Sequence, residues 1–407
     1  MTLTIDRLSL HADGVARTAT GSVHVAMALP GEVVEGEIID GRIAQPRIIT
    51  PSPERVKPPC PHYRACGGCL LQHASDGFVA GWKAEVVRSA LAGRGITAQI
   101  TAVETSPLQS RRRATFSGRR TKKGTLVGFH ARASDTVVEV PGCLILRPEL
   151  MAALPALNEA AALGASRKGE IGFALTLSEA GVEVAAKGGK EIDAALFEAL
   201  AGLAHRHDLA RLSWGSETIA ARRPARQSFG RARVTPPPGA FLQATAEGEA
   251  ALVGFVRAAV GDAARVADLF AGCGTFALPL AAGAEVHAVE GEATMLAALD
   301  RGWRESQGLK RVTHETRDLF RRPLLPDELN RYDAIVIDPP RAGAEAQIRE
   351  IAASELRTVA HVSCNPLTFA RDAQILAEAG FRIDRMIVVD QFRWSDHVEL
   401  AALFIRY

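Results

Sequence analysis

"DLFAGCGTFALPLA", residues 268–281, is the stretch on which the fold turns. The apolar run "RVADLF" leads into it, and Gly272, Gly274 and Ala277 satisfy the pattern G-x-G-x-x-[GA]. Glycines there let the backbone approach a ligand, and the amides that open the next helix point at it. The short apolar runs "EVHAVE", "YDAIVID" and "TVAHVSC" follow, separated by helical patterns such as "EATMLAALDRGWRESQ" and "PLTFARDAQILAEAG". Buried parallel strands alternating with helices imply a doubly wound, Rossmann-like α/β sheet. Glu290 closes the second strand, where a carboxylate accepts from both hydroxyls of a ribose. Asp318 follows the third strand, within reach of an adenine edge. Such a loop by itself serves NAD and S-adenosylmethionine (SAM) enzymes equally.

Outward from this stretch, 407 residues exceed what one core usually supports, so two or three domains are expected. Proline clusters in "TPSPERVKPPCP" and "VTPPPGAF" place boundaries near residues 56 and 235. Residues 1–56 alternate short β-branched runs with Gly, Pro and Asp turns, the pattern of a small antiparallel barrel. That barrel reads equally as an oligonucleotide-binding module or as a stabilising appendage. Residues 57–235 read as a mixed α+β domain, and residues 236–407 carry the sheet. The formal net charge is only +2, so any nucleic-acid surface must be local. Asp6 sits where a signal peptide needs an apolar core, and the run from Leu269 to Ala284 is broken by glycines and a proline. A cytoplasmic monomer without membrane contact is expected.

Two further motifs end strands of the same sheet. "IDPPRAG" (337–343) closes the fourth and "HVSCNPLTFARD" (361–372) the fifth. Asp338 and Cys364 would then face the crevice where open α/β sheets bind ligands. A lone thiol is most often a buried structural cysteine, but a thiolate at this edge is a nucleophile. Asn365-Pro366 breaks the strand at once and helps expose it. In "SDHVELAALFIRY", Val398, Leu400 and Ala402 share one strand face and Glu399 takes the other. On its own, Glu399 reads as a surface residue.

Together, "DLFAGCGTFALPLA", "VIDPPRAG", "HVSCNPLTFARD" and "SDHVELAALF" resemble the RNA uracil-C5 methyltransferases in order and spacing, across residues 236–407. "GAFLQAT", with Gln243, resembles that family's SAM-contacting segment. The resemblance implies that Gln243, Phe270, Thr275, Glu290, Asp318 and Asp338 contact SAM around the Gly272–Gly274 loop, that Cys364 is the nucleophile and that Glu399 is the base. Thr275 and Asp318 stand where many members have Asn. The implied chemistry suits these residue types. Carbon 5 of uracil is too weak a nucleophile to take a methyl group, and thiolate addition at carbon 6 turns the ring into an enolate. After methyl transfer a base removes the carbon 5 proton and elimination frees the cysteine. An ordinary thiol has a pKa of about 8.5, so positive charge is expected beside Cys364, with Arg341 the candidate. A rival chemistry, direct methylation of an adenine amine through "DPPR", uses an aromatic after the prolines. Here Arg341 follows.

The remaining cysteines suggest a metal centre, since disulfides are improbable in a reducing compartment. "CPHYRACGGC" spaces Cys60, Cys66 and Cys69 as C-x5-C-x2-C, and Cys143 in "VPGCLI" is a possible fourth ligand. The residue chemistry allows zinc or an iron–sulfur cluster. The resemblance implies a [4Fe-4S] cluster, as in the ribosomal-RNA branch of the family; the tRNA branch lacks one. It also implies a TRAM-like, OB-like N-terminal barrel and 23S rRNA as the substrate, with tRNA, or a non-catalytic RNA-binding iron–sulfur protein, as alternatives. Between Thr105 and Ser134 the chain carries basic residues and no acid. Arg111, Arg112, Arg113, Arg119, Arg120, Lys122 and Lys123 read as phosphate contacts. Phe116 among them reads either as a base-stacking ring or as core.

Overall fold

The computed structural model describes residues 1–19, 21–166 and 169–407. The largest sheet has eight strands in the spatial order Val312–Thr316, Glu285–Glu290, Arg265–Leu269, Ala334–Ile337, Thr358–Ser363, Glu399–Ile405, Arg382–Asp390 and Ile100–Thr105. Glu399–Ile405 runs antiparallel to both neighbours, while the other adjacent strands pair in parallel. The order reverses between Arg265–Leu269 and Ala334–Ile337, which opens a crevice beyond their carboxyl ends.

Two separate cores explain why these strands read as continuous apolar runs. Val266, Val336, Val362 and Ala401 belong to one core, and Ala267, Ile335, Val359 and Leu400 to the other. Successive residues in a strand point to opposite faces, and here both faces are covered. Helices Ala246–Val260 and Ala293–Arg304 supply Leu252, Val256, Leu296 and Leu299 to the first core. Helices Asp76–Ala92, Glu345–Ala353 and Pro366–Glu378 supply Val87, Ile348 and Phe369 to the second.

The expected segment 57–235 contributes to this sheet at both ends. Helix Asp76–Ala92 and strand Ile100–Thr105 dock on its far side. The hairpin Gln227–Phe229/Ala232–Val234 places Phe229, Ala232 and Val234 in the first core. Between them lies a second sheet, in the order Val137–Val138, Gly124–His130, Arg113–Thr121, Glu170–Ser178, Gly181–Lys187, Arg211–Trp214 and Glu217–Ala221. Helices Leu154–Gly164 and Ala194–Arg206 pack on it. Phe116 is fully buried there and stacks on Phe129 at 4.6 Å between centroids, so it is core. The proline stretch 235–239 is held rather than loose: the Pro236 carbonyl accepts from Arg211 at 2.7 Å, and Gly239 N–H donates to Glu183 at 3.0 Å.

At the N-terminus two small sheets, Thr2–Thr4/Val33–Glu35/Arg47–Thr50 and Arg7–Leu8/Gly14–Thr18/Gly21–Val25/Arg42–Ile43, close over Leu3, Ile5, Val25, Val34 and Ile43. One pairing, Gly21–Val25 with Arg42–Ile43, is parallel rather than antiparallel as expected. Among the described residues no helix is long and apolar enough to cross a membrane.

Candidate active site

The two-residue period of the strands carries a set of polar side chains to one edge in one phase. Glu290 follows Ala288, Asp268 follows Val266, Asp338 follows Val336, Cys364 follows Val362, Gln391 follows Val389, and Glu399 precedes Ala401; those apolar neighbours all line the first core. The last pair between the fifth strand and its antiparallel neighbour is Ser363 with Leu400. Cys364 and Glu399 are the next residues outward, so they lie side by side at the crevice.

The loop after Arg265–Leu269 has positive φ at Phe270 (62°), Gly272 (55°) and Gly274 (94°). A Cβ on Gly274 would meet Leu278 at 2.9 Å and Leu299 at 3.0 Å, so this turn needs glycine. Glu290 anchors the loop, taking the Gly272 amide on Oε2 and the Glu292 amide on Oε1, each at 3.0 Å. Thr275 is half-buried in the same turn, and Cys273 is buried, its thiol pushed up to about 12 by burial. Asp318 is exposed, and its Oδ1 accepts from Phe320 N–H at 3.0 Å. That turn brings the exposed Phe320 ring to 5.4 Å from Phe270, a pairing with no signal in the sequence.

Among the described residues no Lys or Arg side chain pairs with Asp268, Asp338 or Glu399, the acids of the crevice. Asp268 is fully buried, and neither carboxyl oxygen has a hydrogen-bond partner. Burial, then Asp338, then Glu290 push its carboxyl well above the usual range. Burial likewise raises Asp338, and burial with Asp338 raises the buried Glu399. Holding several carboxylates together without a counter-ion costs folding energy, and such groups mark sites where a ligand supplies the missing charge.

These acids also correct the expectation for Cys364. Its thiol is pushed up to about 11, first by burial, then by Glu399 and Asp338; Arg341 opposes them only weakly. Arg341 is exposed, so water screens it, whereas the carboxylates act through the low-dielectric interior. Without a cation in the crevice the thiol stays protonated. Asn365 fixes the local geometry. Its side chain caps helix Pro366–Glu378 by accepting from Leu367 N–H at 3.1 Å, and its Nδ2 donates to the Arg341 carbonyl at 3.0 Å. The "SCNP" and "DPPR" turns are thereby tied together.

Gln243 and Gln391 join the two halves of the site. Gln391 is buried, and its Nε2 donates to Gln243 Oε1 at 2.6 Å and to Glu399 Oε2 at 3.0 Å. Gln243 Nε2 faces Asp338 Oδ2 at 3.5 Å, a long contact. Sequence reasoning passed over Gln391; the signal was its position one strand period beyond Val389. It also passed over Phe241, an exposed ring two residues before Gln243 that carries the Arg113 guanidinium 4.6 Å from its centroid.

The basic run divides. Arg112 pairs with Glu249 at 2.5 Å and donates to the Gln243 carbonyl at 3.2 Å, and Arg113 donates to the Leu242 carbonyl at 2.6 Å. Arg111 donates to the Arg113 carbonyl at 3.0 Å and lies over the Phe392 ring. These three buttress the Gln243 segment and the loop after Gln391, contrary to the expectation that they grip phosphate. Arg119 pairs with Glu170 at 2.7 Å, whereas Arg120, Lys122 and Lys123 are exposed at the hairpin tip. Cys60, Cys66, Cys69 and Cys143 are half-buried free thiols. Burial raises Cys66 and pushes Cys69 up to about 12, and Cys143 and Cys60 add to both. Among the described residues no three His, Cys, Asp or Glu side chains are grouped to hold a single metal ion.

A Rossmann-like sheet with a glycine loop held by Glu290 and with acids along its carboxyl edge fits the class of SAM-dependent methyltransferases. The family model described as tRNA (Uracil-5-)-methyltransferase matches residues 305–407. An uncharacterized RNA methyltransferase of Brucella suis biovar 1 (strain 1330) is 45% identical over 404 residues, 99% of this chain and 97% of its own. The 23S rRNA (uracil(1939)-C(5))-methyltransferase RlmD of Edwardsiella ictaluri (strain 93-146) is 32% identical over 99% of this chain and 95% of its own. The structure of the Pyrococcus abyssi tRNA (uracil-54, C5)-methyltransferase, solved with S-adenosyl-L-homocysteine, has the same fold, with a TM-score of 0.76 at 21% identity over 100% of this chain and 99% of that one. The chain belongs to the RNA uracil-C5 methyltransferase family, whose members are SAM-dependent enzymes.

Proposed function

We propose that this chain methylates carbon 5 of a uridine in 23S rRNA through a covalent bond between Cys364 and carbon 6 of the base. The observation that carries the reading is the juxtaposition of Cys364 and Glu399 at an acid-lined crevice. SAM brings a sulfonium and an ammonium, the charges that Asp268, Asp338 and Glu399 lack. Gln243, Phe270, Gly272, Gly274, Thr275, Glu290, Asp318 and Asp338 form its cradle. The exposed Phe241 ring offers an apolar face to a base that has left its stack.

The cation also resolves the protonation of the site. With positive charge between them, the carboxylates no longer hold the thiol up, and Asp338 and Glu399 ionise more readily. Cys364, its proton lost to solvent, then forms a sulfur–carbon bond at carbon 6, and the ring electrons move onto the carbon 4 oxygen. Carbon 5 takes the methyl group as the donor's sulfur–carbon bond breaks. Glu399 accepts the carbon 5 proton, the ring double bond re-forms and the thiolate leaves.

Cys60, Cys66, Cys69 and Cys143 would suit a [4Fe-4S] cluster in their chemistry, as thiols close enough that Cys60, Cys66 and Cys143 each raise Cys69. Bound there, it would cross-link the cysteine segment and leave the methyl-transfer chemistry to the crevice.

The test is to incubate the protein with methyl-labelled SAM and either 23S rRNA or tRNA, and to map the product. Label in 5-methyluridine of 23S rRNA is expected. Label in tRNA alone moves the substrate assignment, and label on adenine overturns the reaction.

A further inference from the structure

We propose that Gln391 is a positioning residue that sets the proton-accepting state of Glu399 and ties it to the methyl-donor side of the crevice through Gln243. The inference rests on the reading of Glu399 as the base. Three bonds carry it. The Ala244 amide donates to Gln391 Oε1 at 2.7 Å. A backbone N–H only donates, so the atom facing it must be the side-chain oxygen, and this fixes which end of the amide is nitrogen. Nε2 then spends its two hydrogens on Gln243 Oε1 and Glu399 Oε2. Gln243 must therefore show its oxygen to Gln391 and turn its own nitrogen toward Asp338. One backbone amide thus orients a row of donors that ends on a carboxyl at each side.

Two consequences follow for the reaction. Gln391 occupies Glu399 Oε2, so Oε1 is the oxygen that takes the proton from carbon 5. Its donated bond also favours the ionised carboxylate, against burial and the neighbouring Asp338. The other groups around Glu399 are Cys364 and Asp338, and neither brings a positive charge. Once the methyl group has left, the donor's sulfur is neutral, and the buried base depends on this amide to remain a base at neutral pH. Space supports a dedicated place for it: a Cβ on Gly248 would come within 2.8 Å of the Gln391 Cβ, so the adjoining helix admits this side chain only because residue 248 is glycine.

The experiment measures the decay of the covalent, already methylated protein–RNA complex as a function of pH. Gln391→Met keeps volume and removes both donors. Its decay at pH 7 should be slower by about tenfold to hundredfold, the worth of a hydrogen bond to a charged group. The pH midpoint of decay should move up by about one pH unit or more. The KM for SAM should rise as Gln243 loses its orientation. Gln391→Glu is nearly isosteric, retains an oxygen for Ala244, and should move the midpoint in the same direction if Gln391→Met fails to fold. In a Glu399→Gln background, Gln391→Met should add little to the slowing, because it acts through the missing carboxyl. A wild-type pH midpoint in both variants, or full additivity with Glu399→Gln, overturns the proposal. If Glu399→Gln accumulates no methylated adduct at all, it is the reading of Cys364 and Glu399 that fails.

Discussion

Buried charges are treated in opposite ways in two regions of this molecule. Behind the crevice, Lys83 lies fully buried and spends all three donors, on Asp390 at 2.6 Å, the His397 carbonyl at 2.8 Å and the Phe392 carbonyl at 3.1 Å. Arg112 and Arg211 are likewise ion-paired, with Glu249 and Glu183. At the crevice, no described Lys or Arg pairs with Asp268, Asp338 or Glu399, although arginines lie a few residues away. A fold that pairs buried charges elsewhere has the means to pair these. Leaving them bare reserves that place for a positively charged methyl donor, whose arrival favours their ionised form, and stability is the property that gives way.

The contrast can be broken most severely at the base. Glu399→Gln should leave thiol addition and methyl transfer in place and stall elimination, since a positioned base is worth about 100- to 10,000-fold in its step. A denaturation-resistant protein–RNA complex carrying a labelled methyl group should accumulate on gels. Cys364→Ala should form none. Normal turnover by Glu399→Gln would remove the role assigned to it.

Next in size is the paired region. Lys83→Met leaves Asp390 buried and alone, and unfolding in denaturant should show a loss of about 3–5 kcal/mol. Asp338→Asn should do the reverse on a smaller scale. The chain without SAM should gain about 0.5–2 kcal/mol while SAM affinity falls. The pH dependence follows from the same carboxyls. Their folded pKa values are raised above the unfolded ones, Asp338 to about 7 and Glu399 to about 8. Their contribution to stability is therefore complete below about pH 4 and is lost as pH rises through the folded values. Between about pH 5 and 8 the melting temperature of wild type should fall more steeply than that of Asp338→Asn, and SAM should flatten the wild-type slope. Parallel curves would show that Asp338 is already compensated.

The smallest effect separates the two ends of the basic run. Replacing Arg120, Lys122 and Lys123 by Ala should flatten the salt dependence of RNA binding, by about 0.7 log unit per lost contact to a single strand. Arg112→Ala should leave that slope unchanged and lower SAM affinity, because its guanidinium serves Glu249 and the Gln243 carbonyl.

Legibility in the sequence followed the range of the signal. The glycine loop, the strands from Arg265 onward and the placement of Asp338 and Cys364 at their ends were readable because period, turn residues and motif sit within a few positions of each other. Taken alone Glu399 reads as a surface residue; only the resemblance marks it as the base, and register sets it beside Cys364. Arg111, Arg112 and Arg113 were misread because their acceptors lie on residues 242, 243 and 249, far along the chain, and a run of like charge carries no mark of distant partners. Strand Ile100–Thr105 was equally hidden: "ITAVET" has nothing that assigns it to a sheet whose next strand begins at Arg265. Gln391 was missed because one amide in a charged loop gains its meaning only from the backbone N–H that orients it.

That far strand also dictates the order in which the enzyme can be made. Ile100–Thr105 leaves the ribosome long before Arg382–Asp390, the strand it pairs with, and must wait without a partner while the central sheet and most of the catalytic sheet are synthesised. Conversely, a fragment that starts at residue 236 would present Arg382–Asp390 as a nine-residue open edge, with Met386, Val388 and Val389 uncovered along it. Such an edge is a template for pairing with another copy. The catalytic portion, cut out at the proline stretch where the sequence invites a cut, should therefore associate through that edge, and supplying residues 57–110 as a separate chain should restore it to solution.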